Sequence, residues 1–334
     1  MNRRNFTAAA GAAGLAAALP GVAGAAFAPA TVNVINTGSN DSYALQALIK
    51  QQHYLEQFNV TADTLNVSDG IKLTASVVTG ASDIGILTGF AQVFPAIENG
   101  APLKLVGCAE RQPDFVVITG NPSVKTLKDL EGKSVGTGAI GALVYAVMAA
   151  MFRKAGVDLD KVTFVNIGSS TDVFKAVAAK KVDAGPCQHD FAKVAAQYNC
   201  RVIADAVQVV PQFTNQGSFT TDRAIAEKRD ALVRTLAAYG RAYRYIDDPH
   251  SKANYVKAYV DGVGPGSAEA GADRWDWLQS VQGYEKDIAL SADRINYMQQ
   301  LNVALGIQKA VLPLERVSDM SLARDAVKLL KANG

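Results

Sequence analysis

Two short loops have a composition suited to holding a small solute. Thr37-Gly38-Ser39-Asn40 and Thr137-Gly138-Ala139-Ile140-Gly141-Ala142 each set a Thr-Gly pair between a β-branched run and an amphipathic helical pattern. In a parallel α/β unit that position is the carboxyl end of a strand, where ligands collect beside the start of the next helix. A helix start exposes unpaired backbone N–H groups and a partial positive charge, so neutral polar or anionic groups are welcome there. The glycines allow close backbone approach, and Ser39, Asn40 and Thr137 add side-chain hydrogen bonds. Helix capping and tight turning account equally well for either loop alone. Two such loops facing one cleft favour a ligand site.

A second pair of loops takes equivalent places: Thr88-Gly89-Phe90, and Gln188-His189-Asp190. Phe90 is suited to stacking on a planar ligand or to packing. His189 is suited to an anion contact, to sensing pH, or to a structural bond or pairing with Asp190. Asp190 itself reads as the N-cap of a helix over 191–198. Arg111 has the guanidinium fork for a carboxylate, but a surface salt bridge is the favoured reading.

Other chemistry finds little support. There is no G-x-S-x-G elbow and no phosphate-binding G-x-x-x-x-G-K-[ST] loop. Gly136 to Gly141 spells GxGxxG, but the next expected strand, 162–165, ends in Asn166-Ile167-Gly168 and not in the acidic residue a dinucleotide ribose requires. The histidines, His53, His189 and His250, are far apart, and Cys108, Cys187 and Cys200 form no CxxC. Neither metal nor cofactor is expected, and the chain does not read as an enzyme. Cys187 and Cys200 are close enough in sequence to bridge, but all three cysteines read as small buried apolar residues.

The elements that must position these loops are those of an α/β protein with mostly parallel strands. A strand over 31–36 passes into a helix over 41–58. A strand ending in Val135-Gly136 passes into a helix reaching Lys154, ended by Gly156, before a strand over 162–165. The pattern repeats at an offset of 100 residues. Thr37-Gly38 corresponds to Thr137-Gly138, and Val77, Asp83 and Gly85 correspond to Val177, Asp183 and Gly185. The matches fall at equivalent punctuation, which favours two similar lobes over one doubly wound sheet. Extended runs at 111–118 and 209–220 read as two crossovers between lobes, able to absorb a closing motion. From Asp222 onward the pattern is mainly helical, punctuated by Pro249, 262–266 and Pro313.

The first thirty residues read as an export signal. Arg3-Arg4 and Phe6 precede a weakly apolar Ala/Gly/Leu stretch, and Ala23-Gly24-Ala25 and Ala28-Pro29-Ala30 offer cleavage spacing. The paired arginines give it a twin-arginine character. Lys and Arg number 33 against 31 Asp and Glu, and without Arg3 and Arg4 the balance is 31 to 31. Such a chain has no electrostatic footprint for nucleic acid.

Taken together, these residues resemble the nitrate/taurine/aliphatic-sulfonate family of periplasmic solute-binding proteins. The stretches that carry the resemblance are Val77 to Gly85, Leu127 to Gly136, Lys154 to Asp158, Val182-Asp183-Ala184 and the helical return from Arg234 to Pro249. The resemblance implies a two-lobed periplasmic-binding-protein fold (type II) with two crossovers. The expected organisation is an export signal over 1–30, a first lobe over 31–114 and 217–334, and a second over 115–216. It further implies a soluble, monomeric periplasmic receptor that delivers a small molecule to a membrane permease and its cytoplasmic ATPase. The expected ligand contacts are Thr37, Gly38, Ser39, Asn40, Thr88, Gly89, Phe90, Thr137, Gly138, Ala139, Ile140, Gly141, Ala142, Gln188 and His189. Where the family often has Gly-Ser or Gly-Thr at the second-lobe helix start, this chain has Gly141-Ala142. The missing hydroxyl weighs against a heavily coordinated small oxyanion and toward a larger organic acid or a heteroaromatic compound. Two alternatives stand beside this reading: a pyrimidine-synthase-like enzyme on the same fold, and a sensory binding protein without a transporter.

Overall fold

A computed structural model describes residues 27–333, and the expected export signal lies almost wholly outside them. Among the described residues ten strands form two five-stranded sheets of one plan. The first contains β1 (Ala30–Thr37), β2 (Val60–Val67), β3 (Ile84–Thr88), β4 (Leu103–Cys108) and β10 (Gly217–Thr221), in the order β2-β1-β3-β10-β4. The second contains β5 (Val116–Thr119), β6 (Ser134–Thr137), β7 (Thr163–Asn166), β8 (Ala184–Cys187) and β9 (Arg201–Asp205), in the order β7-β6-β8-β5-β9. In each sheet one strand runs antiparallel to both neighbours, β10 in the first and β5 in the second. The fold is therefore two-lobed α/β with two crossovers, over 109–115 and 206–216. The crossovers bind each other: Gln216 N–H donates to the Glu110 carbonyl at 2.9 Å, and Ala109 N–H to the Gln216 carbonyl at 3.0 Å.

The 100-residue echo has a physical basis. The Asp83 carboxylate accepts the Asn33 N–H at 2.9 Å, and the Asp83 carbonyl accepts the Thr220 hydroxyl at 2.6 Å. In the second sheet the Asp183 carboxylate accepts the Ser134 N–H at 2.9 Å, and its carbonyl accepts the Thr119 hydroxyl at 2.7 Å. Each aspartate fastens its strand to a parallel neighbour on one side and to the antiparallel strand on the other.

The first-lobe helices are α1 (Asn40–Gln51), α2 (Gly70–Thr79) and α3 (Val93–Glu98); the second lobe holds α4 (Leu143–Lys154), α5 (Ser170–Ala178), and the short α6 (Phe191–Val194) and α7 (Ala206–Val209). Ala44, Leu45, Leu48 and Ile49 form one buried stripe of α1 at helical spacing. That helix stops at Gln51, not at 58. The left-handed residues His53 (φ 54°) and Asn59 (φ 50°) turn the chain, and a single 3-10 turn at Glu56–Phe58 sets the Phe58 ring into the core. The helix expected over 191–198 is likewise broken, into α6 and a 3-10 turn at Ala195–Tyr198.

The return comprises α8 (Asp222–Asp247), α9 (Lys252–Val263), α10 (Ala268–Val281), α11 (Ala292–Ala304), the short α12 (Leu314–Val317) and α13 (Ser321–Ala332). Much of α8, α9, α10 and α13 packs on the first sheet in one apolar core. α11 reaches the second lobe where Arg153 of α4 donates to the Ala304 carbonyl at 3.2 Å, and it is tied to the first crossover where Arg294 donates to the Arg111 carbonyl at 2.8 Å. A second core runs continuously between the lobes, from Ile35 and Phe90 through Phe115 and Phe213 to Val135 and Met148. All three cysteines are free and buried. Among the described residues no helix is long and apolar enough to cross a membrane.

Candidate ligand cleft

Between the lobes, at the carboxyl ends of the strands, lies a cavity of about 50 Å³. The first lobe lines it with Thr37-Gly38-Ser39, Ser68-Asp69-Gly70, Thr88-Gly89 and Gln92; the second with Gly138-Ala139, residues 142–144, Gly168-Ser169-Ser170 and Gln188. Phe115, Asn215 and Gln216 of the crossovers form its floor. Four helices begin at this cavity, two from each lobe. Three are capped by a side chain. Ser39 accepts from Ser42 N–H at 3.3 Å on α1, Asp69 from Ile71 N–H at 2.8 Å on α2, and Ser169 from Asp172 N–H at 3.2 Å on α5. The fourth, α4, starts behind Ala142, which is extended (φ −78°, ψ 167°) and has no side-chain acceptor. The first amides of α4 are left open to a ligand.

The lobes are in contact across the cleft. A methyl carbon placed on Gly89 would lie 2.4 Å from Leu143 Cβ, and one on Gly70 3.8 Å from Ala142 Cβ. At one rim Asp190 of the second lobe accepts the Tyr259 hydroxyl at 2.8 Å and the Asn40 amide at 3.3 Å. This corrects two expectations. Asp190 makes no cap bond to the helix behind it, and Asn40 bonds to Asp190 and does not line the cavity. Both serve as a latch between lobes.

Behind the floor sits a buried charge cluster centred on Arg274 of α10. Its guanidinium takes Asp41 in a bidentate pair (2.8 Å each), approaches Asp114 at 2.8 Å, and bonds Glu110. Tyr284 donates to Asp41 at 3.1 Å. Burial pushes the Asp114 carboxyl up to about 7, with Arg274 pulling it down. Burial likewise raises Glu110, against the pull of Arg274. The cluster holds the cleft's amides in place. Glu110 accepts from the Asn215 amide, while Asp114 accepts from the Gln188 amide at 3.4 Å and from His189 N–H at 3.1 Å.

Of the residues singled out from sequence, Thr37, Gly38, Ser39, Thr88, Gly89, Gly138, Ala139, Ala142 and Gln188 meet at the cavity. Five others, besides Asn40, do not line it. The Phe90 ring is in the core, edge-on to Phe94 at 5.9 Å, because Gly217 leaves room for it. Thr137 is buried and donates to the Gly138 carbonyl at 3.0 Å. Ile140 is 68% exposed, and with Gly141 faces an outer hollow near Ile307. His189 lies 3.7 Å from Asp205, with its ring 5.5 Å from Trp277, and is not paired with Asp190. Arg111 pairs with Glu285 at 3.8 Å, as a surface salt bridge should.

Sequence reasoning missed Ser68 to Gly70, Gly168 to Ser170, Gln92, Asn215, Gln216 and Arg274. The first two groups carry a readable signal, since Asp69 and Ser169 are cap residues ahead of apolar helical patterns. Arg274 has none: it meets Asp41 across 233 residues.

This arrangement is the periplasmic-binding-protein fold, and solved structures share it. The alkanesulfonate-binding protein SsuA from Xanthomonas axonopodis pv. citri, bound to MOPS, is 18% identical with a TM-score of 0.69, over 89% of this chain and 98% of that one. The nitrate-binding protein NrtA from Synechocystis PCC 6803 is 11% identical with a TM-score of 0.76, over 90% and 89%. SsuA from Escherichia coli is 16% identical with a TM-score of 0.68, over 87% and 92%. At such identities the likeness establishes the fold. The chain belongs to the NMT1/THI5 like family, whose model matches residues 41–251. No curated protein matches it in sequence.

Proposed function

We propose that the chain is the solute-binding component of an ABC importer, working outside the cytoplasmic membrane and capturing a small organic anion or heteroaromatic compound between closing lobes. One observation carries this reading: four helix starts, two from each lobe, converge on one cavity at the hinge. A ligand held there bonds to both lobes and so favours their closed arrangement by its differential affinity. The family and the sulfonate- and nitrate-binding relatives support the same role. The lobes would be 31–114 with 217–334, and 115–216. The protein would act as a monomer, with a permease and ATPase as partners. The enzyme alternative draws no support from the cavity lining, which includes neither His189 nor any cysteine.

The test is a thermal-shift screen of the purified protein against sulfonates, aromatic acids, pyrimidines and nitrate. A binder should raise the midpoint by mass action and shrink the radius of gyration in solution scattering. Turnover of a screened compound with no midpoint shift from any would refute the receptor reading.

A further inference from the structure

The latch at the cleft rim has an acid at its centre. Asp190 belongs to the second lobe, and its Oδ2 accepts two donors from the first: the Tyr259 hydroxyl of α9 at 2.8 Å and the Asn40 amide of α1 at 3.3 Å. Its Oδ1 has no partner, although the residue is only 8% exposed. An ionised carboxylate held this way gives up water around one oxygen and gains no bond there in return. A neutral carboxyl fits the same contacts. Oδ2 becomes the carbonyl that accepts from both donors, and the proton sits on Oδ1. An unpaired hydroxyl costs less in that place than a half-paired charge.

The surroundings press the same way. α10 brings Arg274, but that guanidinium is already taken by Asp41 of α1 and by Glu110 and Asp114 of the first crossover. An ionised Asp190 would therefore be a fourth carboxylate beside one engaged cation. From its own lobe come Cys187, which is buried and free, and His189, whose ring lies 3.7 Å from Asp205. Lys193 of α6 is held by Asp273 of α10. Burial lifts the Asp190 carboxyl above its ordinary value, against the pull of Tyr259, Asn40 and Arg274. Opening the lobes would part Asp190 from Tyr259 and Asn40 and return it to water as an ordinary ionised carboxylate.

We propose that the lobes close with uptake of one proton from solvent at Asp190, and that opening returns it. The closed form is then favoured in acid, and that bias is lost as pH rises through the lifted value of the carboxyl. A receptor of this kind grips its solute more firmly in a more acidic medium, because more of it is in the competent form.

Ligand-free protein carries the test. Spin labels at Lys72→Cys on α2 and Lys175→Cys on α5, both exposed and in opposite lobes, report the lobe separation by pulsed electron resonance. The three native cysteines are buried and stay unlabelled. From pH 8 to pH 5 the ratio of closed to open molecules should rise about tenfold. In Asp190→Asn the carbonyl oxygen keeps both bonds without a charge, so the ratio at pH 8 should already match that of wild type at pH 5. Asp114 and His189 are present in both proteins, so the difference between the two reads Asp190 alone. Tyr259→Phe removes a donor that favours the ionised form, and its transition should move to higher pH; that variant decides if Asp190→Asn does not fold. A ratio independent of pH, a pH response undiminished in Asp190→Asn, or an Asp190→Asn protein more open than wild type throughout overturns the proposal. Each of these leaves the receptor reading standing, since the thermal-shift screen judges it separately.

Discussion

Gly89 is the place where one methyl group tests whether the two lobes must meet for binding. A Cβ built there lies 2.4 Å from Leu143 Cβ, 3.0 Å from its Cγ and 3.1 Å from its Cδ2. Carbon atoms do not approach to 2.4 Å, so Gly89→Ala forces a separation of about 1 Å or more at that point. Gly89 belongs to the loop after β3 and Leu143 opens α4, so the strain falls between lobes and opening relieves it. Gly89 does not have a positive φ, so alanine adds no backbone strain. Overpacking of this kind costs about 1–3 kcal/mol, charged to the closed state alone. Affinity for any ligand found in the screen should fall about 5- to 150-fold in calorimetry. The unliganded variant should melt no earlier than wild type, since alanine also lowers the entropy of the unfolded chain. Adding Leu143→Gly, which removes the opposing Cβ, should recover most of the lost affinity. Unchanged affinity in Gly89→Ala would refute the reasoning, because it would mean that binding does not require this contact.

Two further predictions concern the charge cluster. Asp114 titrates near 7 when folded, against an ordinary value of 3.8, so between about pH 4 and 7 the folded protein keeps a proton that the unfolded chain has lost. Its contribution to stability is therefore full at low pH and is lost as pH rises through that window. Asp114→Asn should gain stability relative to wild type as pH goes from 4 to 7, and parallel denaturation curves across that range would disprove this. Arg274→Met would leave Asp41, Glu110 and Asp114 buried without their cation, at a cost of about 3–5 kcal/mol measured by urea unfolding.

The fold was legible because its signals are local or periodic. The Thr-Gly turns, the short β-branched runs and the Asp83/Asp183 echo are all visible within a few residues, and each marks a real junction. Asp183 is readable at a distance only because Asp83 does the same work. The site was half legible for the same reason. Loops that open helices announce themselves, as Ser39 and Gly138 do, and Asp69 and Ser169 carried that signal too. What tertiary packing decides was not legible. Asn40 and Asp190 are polar residues at cleft loops, and only the closed arrangement shows that they bond to each other. Phe90 looks available for stacking until Gly217, 127 positions later, makes room for its ring in the core.

The strand order has a consequence for how the chain assembles. In the first sheet β4 pairs only with β10, which also separates it from β3. β10 emerges after the whole of the second sheet, whose strands fall within 116–205. Until then β4 is a strand with no neighbour, and the Asp83 carbonyl waits for Thr220 across 137 residues. Loop closure over that span is slow, whereas the second sheet is built from contiguous chain. The second lobe should therefore fold first, and insertion of β10 should be the late step that completes the first. A chain stopped before Gly217 would carry one finished lobe and one sheet lacking the strand between β3 and β4.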